Sequence, residues 1–267
     1  MQIKSWFGIS QYCVLAHGFS RYRLQDANFE RQIVLITSPF TLPAFTALDI
    51  GAVTFLLACS VLIGWVIEHP PASRPSVTML MAQYRRDWMI QFVTRQPRIF
   101  DATVMDSLRQ GTAFFASACM ITLGGGIAVI GNREGLDMLA ADLTLETQGV
   151  VLELKLGLVL LFVANALLKF IWAHRLFGYC TIMMAAVPNE PEHADAYTRA
   201  ADAAEINITA ARSFNRGLRS IYFALGALGW LLGAYGLIIT VLVTIAVLLR
   251  REFVSASRQI ILKQSPN

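Results

Sequence analysis

The clearest indication of the fold comes from residues 152–180, LELKLGLVLLFVANALLKFIWAHRLFGYC. Residues 154–173 are almost entirely apolar, and about 20 such residues in a row form a helix that crosses the hydrocarbon core of a bilayer. In lipid the backbone must satisfy its own hydrogen bonds, and a helix does so within one segment. The stretch therefore predicts a membrane-spanning helix. It ends in three basic groups, Lys169, His174 and Arg175.

The composition of the whole chain predicts the same environment. Of 267 residues, 55% are apolar and only 15% are charged, against about 25% charged in soluble domains. The net charge of +4 comes from arginines beside apolar segments, which favours anionic lipid over nucleic acid as a partner. The four cysteines and four histidines lack the spacing of metal ligands, and common catalytic motifs are absent from the sequence. We therefore expect no metal, no cofactor, no catalytic residue and no enzyme activity.

Four apolar stretches qualify as spans, at residues 50–67, 111–130, 154–173 and 222–249. They predict an all-α fold: a polytopic membrane protein built as a four-transmembrane-helix bundle, with amphipathic helices on its cytoplasmic side. The expected parts are an amphipathic or partner-binding N-terminal extension (1–48), the membrane domain (49–253) and a C-terminal tail (254–267).

Arginines set the expected orientation, because short loops rich in Lys and Arg stay in the cytoplasm. The connection after the first span holds six arginines and the connection after the third holds five. The link between the second and third spans holds Arg133 against Glu134, Asp137, Asp142 and Glu146. Both arginine-rich connections are therefore predicted to be cytoplasmic, which leaves both termini outside. That side suits the C-terminal basic residues poorly: Arg250, Arg251, Arg258 and Lys263.

Both cytoplasmic connections are predicted to be helical. Ser76 is a candidate N-cap for an amphipathic helix from Val77 to about Thr94. This helix either grips anionic lipid at the membrane surface or packs under the bundle. After Pro191 an alanine-rich helix, with its acids early and its arginines late, is expected to continue unbroken into the fourth span.

Lys169 has two possible explanations. It lies a few residues from the cytoplasmic end of its span, so its ammonium can extend to headgroup level. Alternatively Lys169 and Asn165, one helical turn apart, face the bundle interior and hold an anion or a buried carboxylate, with Asp101 and Glu68 as candidates. We expect a basic ring that binds lipid phosphate or another anion, formed by Lys169, Arg175, Arg216 and Arg219.

Glycines recur along the fourth span at intervals of three, four and three residues: Gly226, Gly229, Gly233 and Gly236. On a continuous helix they form one row, which we call the glycine row. Small residues allow helix backbones to approach closely in a membrane. The row therefore predicts a helix-packing surface, used either within the bundle or between copies.

Three separated blocks of the sequence resemble a bacterial membrane family known as domain of unknown function 599 (DUF599). They are RRDWMIQFVTRQPRIFDATVMDSLRQGTAFFAS, the opening stretch, and FNRGLRSIYFALGALGWLLGAYG, and the resemblance covers about residues 49–253. It implies four spans and no assigned activity, and the N-terminal extension departs from it. Positions that match the recurring family pattern are Arg98, Asp101, Glu153, Lys155, Lys169, Trp172, Arg175, Tyr179, Cys180, Asn215, Arg216, Gly217 and Arg219.

Some of these polar residues are expected to form a structural network: Arg98, Asp101, Asn165, Trp172 and Asn215. The favoured function is a non-catalytic accessory component that packs against anionic phospholipid and against other membrane subunits or itself. The alternatives are a channel or carrier for an anion or small solute, and a membrane-embedded enzyme. The expected location is the bacterial inner membrane or an equivalent energy-transducing membrane.

Overall fold

The computed structural model describes residues 45–132, 134–135, 138 and 149–264, and every regular element in that part of the chain is helical. The expectations for the N-terminal extension fall almost entirely outside these residues. The elements are α1 (Ala47–Glu68), α2 (Val77–Thr94), α3 (Ile99–Gly131), α4 (Gly149–Ala185), α5 (Ala196–Ala227), a 3₁₀ helix (Leu228–Leu232), α6 (Ala234–Leu249), a π-helical turn (Arg250–Val254) and α7 (Ala256–Gln264).

Three helices are long and apolar enough to cross a membrane: α1, α3 and the Val151–Ala185 part of α4. The prediction of an all-α, multi-pass membrane protein is therefore confirmed. The fourth predicted span, residues 222–249, departs from the predicted single helix, and the positions of its glycines explain why.

Helices α3, α4 and α5 form an antiparallel core. Phe115 of α3 stacks on Phe170 of α4, with ring centroids 5.4 Å apart. The Asn165 amide of α4 donates to the Ser220 hydroxyl of α5 at 3.0 Å, and one end of this pair of helices is closed by a contact from Cys180 Sγ to the Ala203 carbonyl. Alanines at positions 196, 200, 203 and 204 of α5 are buried, so α5 approaches its neighbours closely.

The segment predicted as the fourth span is not one helix. α5 ends at Ala227, and Gly233 adopts φ 92°, a left-handed conformation that favours glycine. After this turn α6 runs back along α5, where the Thr240 hydroxyl donates to the Gly226 carbonyl at 2.6 Å. Residues 222–249 therefore form a helical hairpin.

The glycine row is divided between the two arms of this hairpin. A Cβ at Gly229 would collide with Thr240, and a Cβ at Gly236 would collide with the Gly229 carbonyl. The expectation of one row on a continuous helix is therefore wrong. Gly233 makes the turn, and the other three glycines let the two arms touch, which is packing within the chain.

The hairpin brings the C-terminal segment back beside the α1–α2 connection. The Glu252 carboxylate accepts a hydrogen bond from the Thr78 backbone at 3.1 Å, and Arg258 donates to the Pro75 carbonyl at 3.0 Å. This corrects the expectation that the C-terminal basic residues lie on the side opposite both arginine-rich connections.

Helix α2 packs under the bundle. Its N-cap Ser76 is buried, accepts from the Met79 backbone and donates to the Ile67 carbonyl at 2.8 Å. Met89 and Phe92 are buried in a cluster that includes α4 and α5 side chains. Of the two alternatives for this amphipathic helix, the structure shows packing against the bundle.

Candidate functional site: a basic groove between three helices

Three of the four residues predicted to form a basic ring meet in one groove between α1, α4 and α5. We call it the basic groove. Its volume is about 480 Å³, and it is lined by Ser60, Val61, Gly64, Trp65, Glu68, His69, Phe162, Asn165, Lys169, Arg216, Arg219, Ser220 and Phe223.

Helix periodicity places these side chains. Asn165 and Lys169 are one turn apart on α4, as are Arg216 and Ser220 on α5, so each pair shares a face. The two faces are held in register by the Ser213 hydroxyl, which donates to the Lys169 carbonyl at 3.0 Å.

Glu68, the last residue of α1, is the centre of the charged part. Its carboxylate accepts from Arg216 Nε at 2.8 Å and forms ion pairs with both Arg216 and Arg219. The Glu68 and Arg219 side chains are 10% and 9% exposed, whereas Arg216 is 47% exposed. Glu68 therefore compensates the buried Arg219 through Oε1, and both of its carboxylate oxygens accept from Arg216, which also reaches the surface.

Lys169 is half-buried and has no ion-pair or hydrogen-bond partner for its ammonium in the part of the chain that the structure describes. Three cations and one carboxylate line the groove, so a net charge of two positive units remains. Trp65, Phe162 and Phe223 supply apolar wall beside these charges. The groove combines a basic end with an apolar surface.

Arg175 does not join the groove. Its guanidinium donates to the Tyr179 hydroxyl at 2.8 Å and lies 5.8 Å from the centroid of the Trp172 ring. Trp172 itself is 48% exposed. These residues form a separate cluster on an outer face of α4.

The residues expected to form one polar network lie in separate places. Asp101 is fully buried and accepts from Trp88 Nε1 at 2.6 Å and from Arg95. Arg98 donates to the carbonyls of Val187 and Pro188 at 2.9 and 2.8 Å, just beyond the end of α4.

Asn165 instead bonds α5 beside the basic groove, Trp172 lies near Arg175, and Asn215 lines a different cavity. The single network expected from the sequence is therefore not formed. The sequence suggested Glu68 as a possible carboxylate partner of Lys169, but its ion pairs are with Arg216 and Arg219, which the sequence did not predict.

The arrangement is suited to binding an anion. Arginine forks and a lysine ammonium both donate to phosphate or carboxylate oxygens. Among the described residues, no cluster of three or more His, Cys, Asp or Glu side chains could hold a metal ion.

Fold and groove together define an all-helical, multi-pass membrane protein with a basic groove at one end of its spans. The model of the protein family of unknown function DUF599 matches residues 51–257, so the chain belongs to that family. No curated protein and no solved structure matches the chain.

Proposed function

We propose that this protein is a non-catalytic membrane component that holds the headgroup phosphate of an anionic phospholipid in the basic groove. The observation that carries the proposal is Lys169: a half-buried ammonium without a partner among the described residues, in a groove with two excess positive charges. The apolar residues of the same groove would contact the first part of an acyl chain.

The magnitudes favour a bound lipid anion. A lysine at the centre of a bilayer costs about 3 kcal/mol on insertion scales, and that cost falls when an anion or the interface is within reach. Each basic residue near an anionic surface contributes about 1 kcal/mol to lipid binding. Two uncompensated charges thus give about 2 kcal/mol, roughly a 30-fold preference for an anionic over a neutral headgroup.

The second part of the proposal is association with other membrane subunits or with a second copy. It is supported by large apolar side chains exposed around the α2–α3 connection, outside the apolar stretch of α3. Ile90, Ile99 and Phe100 are 52%, 72% and 62% exposed. Apolar side chains exposed together outside the membrane are typical of contact surfaces.

The test is native mass spectrometry of protein purified in mild detergent, with phosphatidylglycerol and phosphatidylcholine added in equal amounts. Lys169→Met should lower retention of phosphatidylglycerol about fivefold, since it removes about 1 kcal/mol. Lys169→Arg should retain the lipid, because arginine keeps the charge. The matched control is Lys263→Met, which removes an exposed lysine of α7.

Equal retention in Lys169→Met and Lys263→Met would refute the lipid site. An anion flux through the protein in liposomes, abolished by Lys169→Met, would favour a channel or carrier instead. The same spectra test association, because a subunit that co-migrates adds its mass to the complex.

A further inference from the structure

A second cavity lies between the end of α1, helices α2, α3 and α5, and the C-terminal segment. We call it the α2–α5 cavity. Its volume is about 360 Å³, within the range of about 300–1,000 Å³ typical of small-molecule sites. Its polar wall includes Thr78, Arg85, Arg212, Asn215, Arg251 and Glu252.

Other residues that line the cavity are apolar. Met81 of α2, Leu108 of α3, Phe177 of α4 and Phe214 of α5 all line the cavity. A ligand that fills the space would therefore contact both charged groups and carbon surface.

The acids of this cavity are already engaged. Glu252 accepts from the backbone and the hydroxyl of Thr78, and Glu68 is paired with Arg216 and Arg219. Glu252 keeps its negative charge, but the lining also contains three arginines, Arg85, Arg212 and Arg251, so positive charge remains in excess.

Several donors, by contrast, remain available. Arg212 and the Asn215 amide have no hydrogen bond or ion pair within the described residues. Arg85 donates to the Asn207 amide oxygen, and burial lowers its pKa, yet an arginine stays protonated at neutral pH. The excess of unused donors and positive charge selects for an anion.

The C-terminal segment completes the cavity. Arg251 and Glu252 belong to the π-helical turn, and such turns are frequent at functional sites. Arg251 bonds the Tyr222 hydroxyl, and Glu252 is fixed to Thr78 at the start of α2. The segment that follows the α5–α6 hairpin thus forms part of the cavity wall.

We propose that the α2–α5 cavity binds a small organic anion, with a phosphate or carboxylate beside Arg212 and Asn215 and an apolar body against Met81 and Phe177. This site is distinct from the basic groove, with which it shares Glu68 alone among its lining residues. The ligand is a small molecule that enters from outside the hydrocarbon layer, whereas the groove takes a lipid.

Equilibrium dialysis tests this with the full chain in nanodiscs of neutral phosphatidylcholine. The probes are phenyl phosphate and benzoate, with phenol as the uncharged control. We expect saturable binding of at least one anion at one site per chain, weakened about tenfold by Arg212→Gln and by Asn215→Leu. Arg199→Gln is the matched control: this arginine lies on the same helix, is paired with Asp195 and does not line the cavity.

Lys169→Met should leave this binding unchanged, so failure of the lipid proposal and failure of this one are distinguishable. The proposal is overturned if neither anion binds saturably, if phenol binds as tightly as the anions, or if Arg212→Gln behaves like Arg199→Gln. Preference between the two anions identifies the acidic group that the site takes.

Discussion

Glu68 is the residue on which the charged end of the bundle depends. Its side chain is 10% exposed and it compensates Arg219, which is 9% exposed. Removing one partner of a buried pair leaves the other charge uncompensated, which costs about 3–5 kcal/mol. An exposed pair is worth less than about 1 kcal/mol.

Glu68→Gln should therefore lower the free energy of unfolding by about 3 kcal/mol. The measurement is denaturant unfolding in detergent micelles. Glu205→Gln is the control, because Glu205 and its partner Arg86 are 58% and 45% exposed, and its loss should stay below about 1 kcal/mol. Equal losses would show that Glu68 is not a buried charge partner. The Glu68 variant should still retain anionic lipid, since it leaves the groove more positive.

Helix geometry explains which site residues could be predicted from the sequence. At roughly 100° per residue, Lys169 lies about 40° from Asn165, and Arg219 lies about 60° from Arg216, so each pair shares a face. Arg175 is six residues beyond Lys169 and therefore about 120° away, which separates it from the groove. Periodicity alone could have removed Arg175 from the ring. The pairing of Arg216 and Arg219 with Glu68 depends on how α1 packs against α5. That packing is a feature of the tertiary structure, which helix periodicity does not predict.

Among the helices, the α5–α6 hairpin is the feature that hydropathy could not predict. Residues 222–249 are uncharged throughout, and an uninterrupted apolar run looks the same whether its helix is straight or folded back. The structural information lies in the glycines. Gly233 carries the positive φ, and the Thr240 side chain fits against Gly229 because that position has no Cβ.

Gly229→Ala should destabilise the hairpin by about 1–3 kcal/mol, because the new methyl group meets Thr240 and the Gly236 carbonyl. The control is Gly124→Ala in α3, where an added Cβ has no neighbour within 4 Å. That change should be neutral or stabilising by up to about 1 kcal/mol. Thermal unfolding in detergent measures both. If the two variants lose the same stability, the arms of the hairpin are not in close contact.

The α5–α6 hairpin determines on which side of the membrane residue 264 lies. α1, α3 and α4 each qualify to cross the membrane once, and the α5–α6 hairpin returns to the level at which it entered. This arrangement predicts an odd number of crossings. We therefore expect residues 45 and 264 on opposite sides of the membrane, with the basic C-terminal segment on the side of the arginine-rich connections, as the positive-inside rule favours.

Single cysteines in a chain whose native cysteines are replaced by alanine test this topology. Ser73→Cys and Ser257→Cys should be labelled by an impermeant reagent from one side of the membrane, and Thr144→Cys from the other. Both serines are exposed. If Ser257→Cys and Thr144→Cys were labelled from the same side, residues 222–249 would cross the membrane once, as a fourth span.

The proposed function depends on contact between the Lys169 ammonium and a lipid phosphate. The most direct measurement is ¹⁵N–³¹P dipolar recoupling by solid-state NMR, with ¹⁵Nζ-lysine protein in phosphatidylglycerol bilayers. The Lys169 signal is identified by its loss in Lys169→Arg. We expect it to dephase with a phosphorus nucleus at about 4 Å, the separation that a charge-assisted hydrogen bond to a phosphate oxygen imposes. A Lys169 signal that shows no more dephasing than that of the exposed Lys263 would show that the Lys169 ammonium does not contact a lipid phosphate.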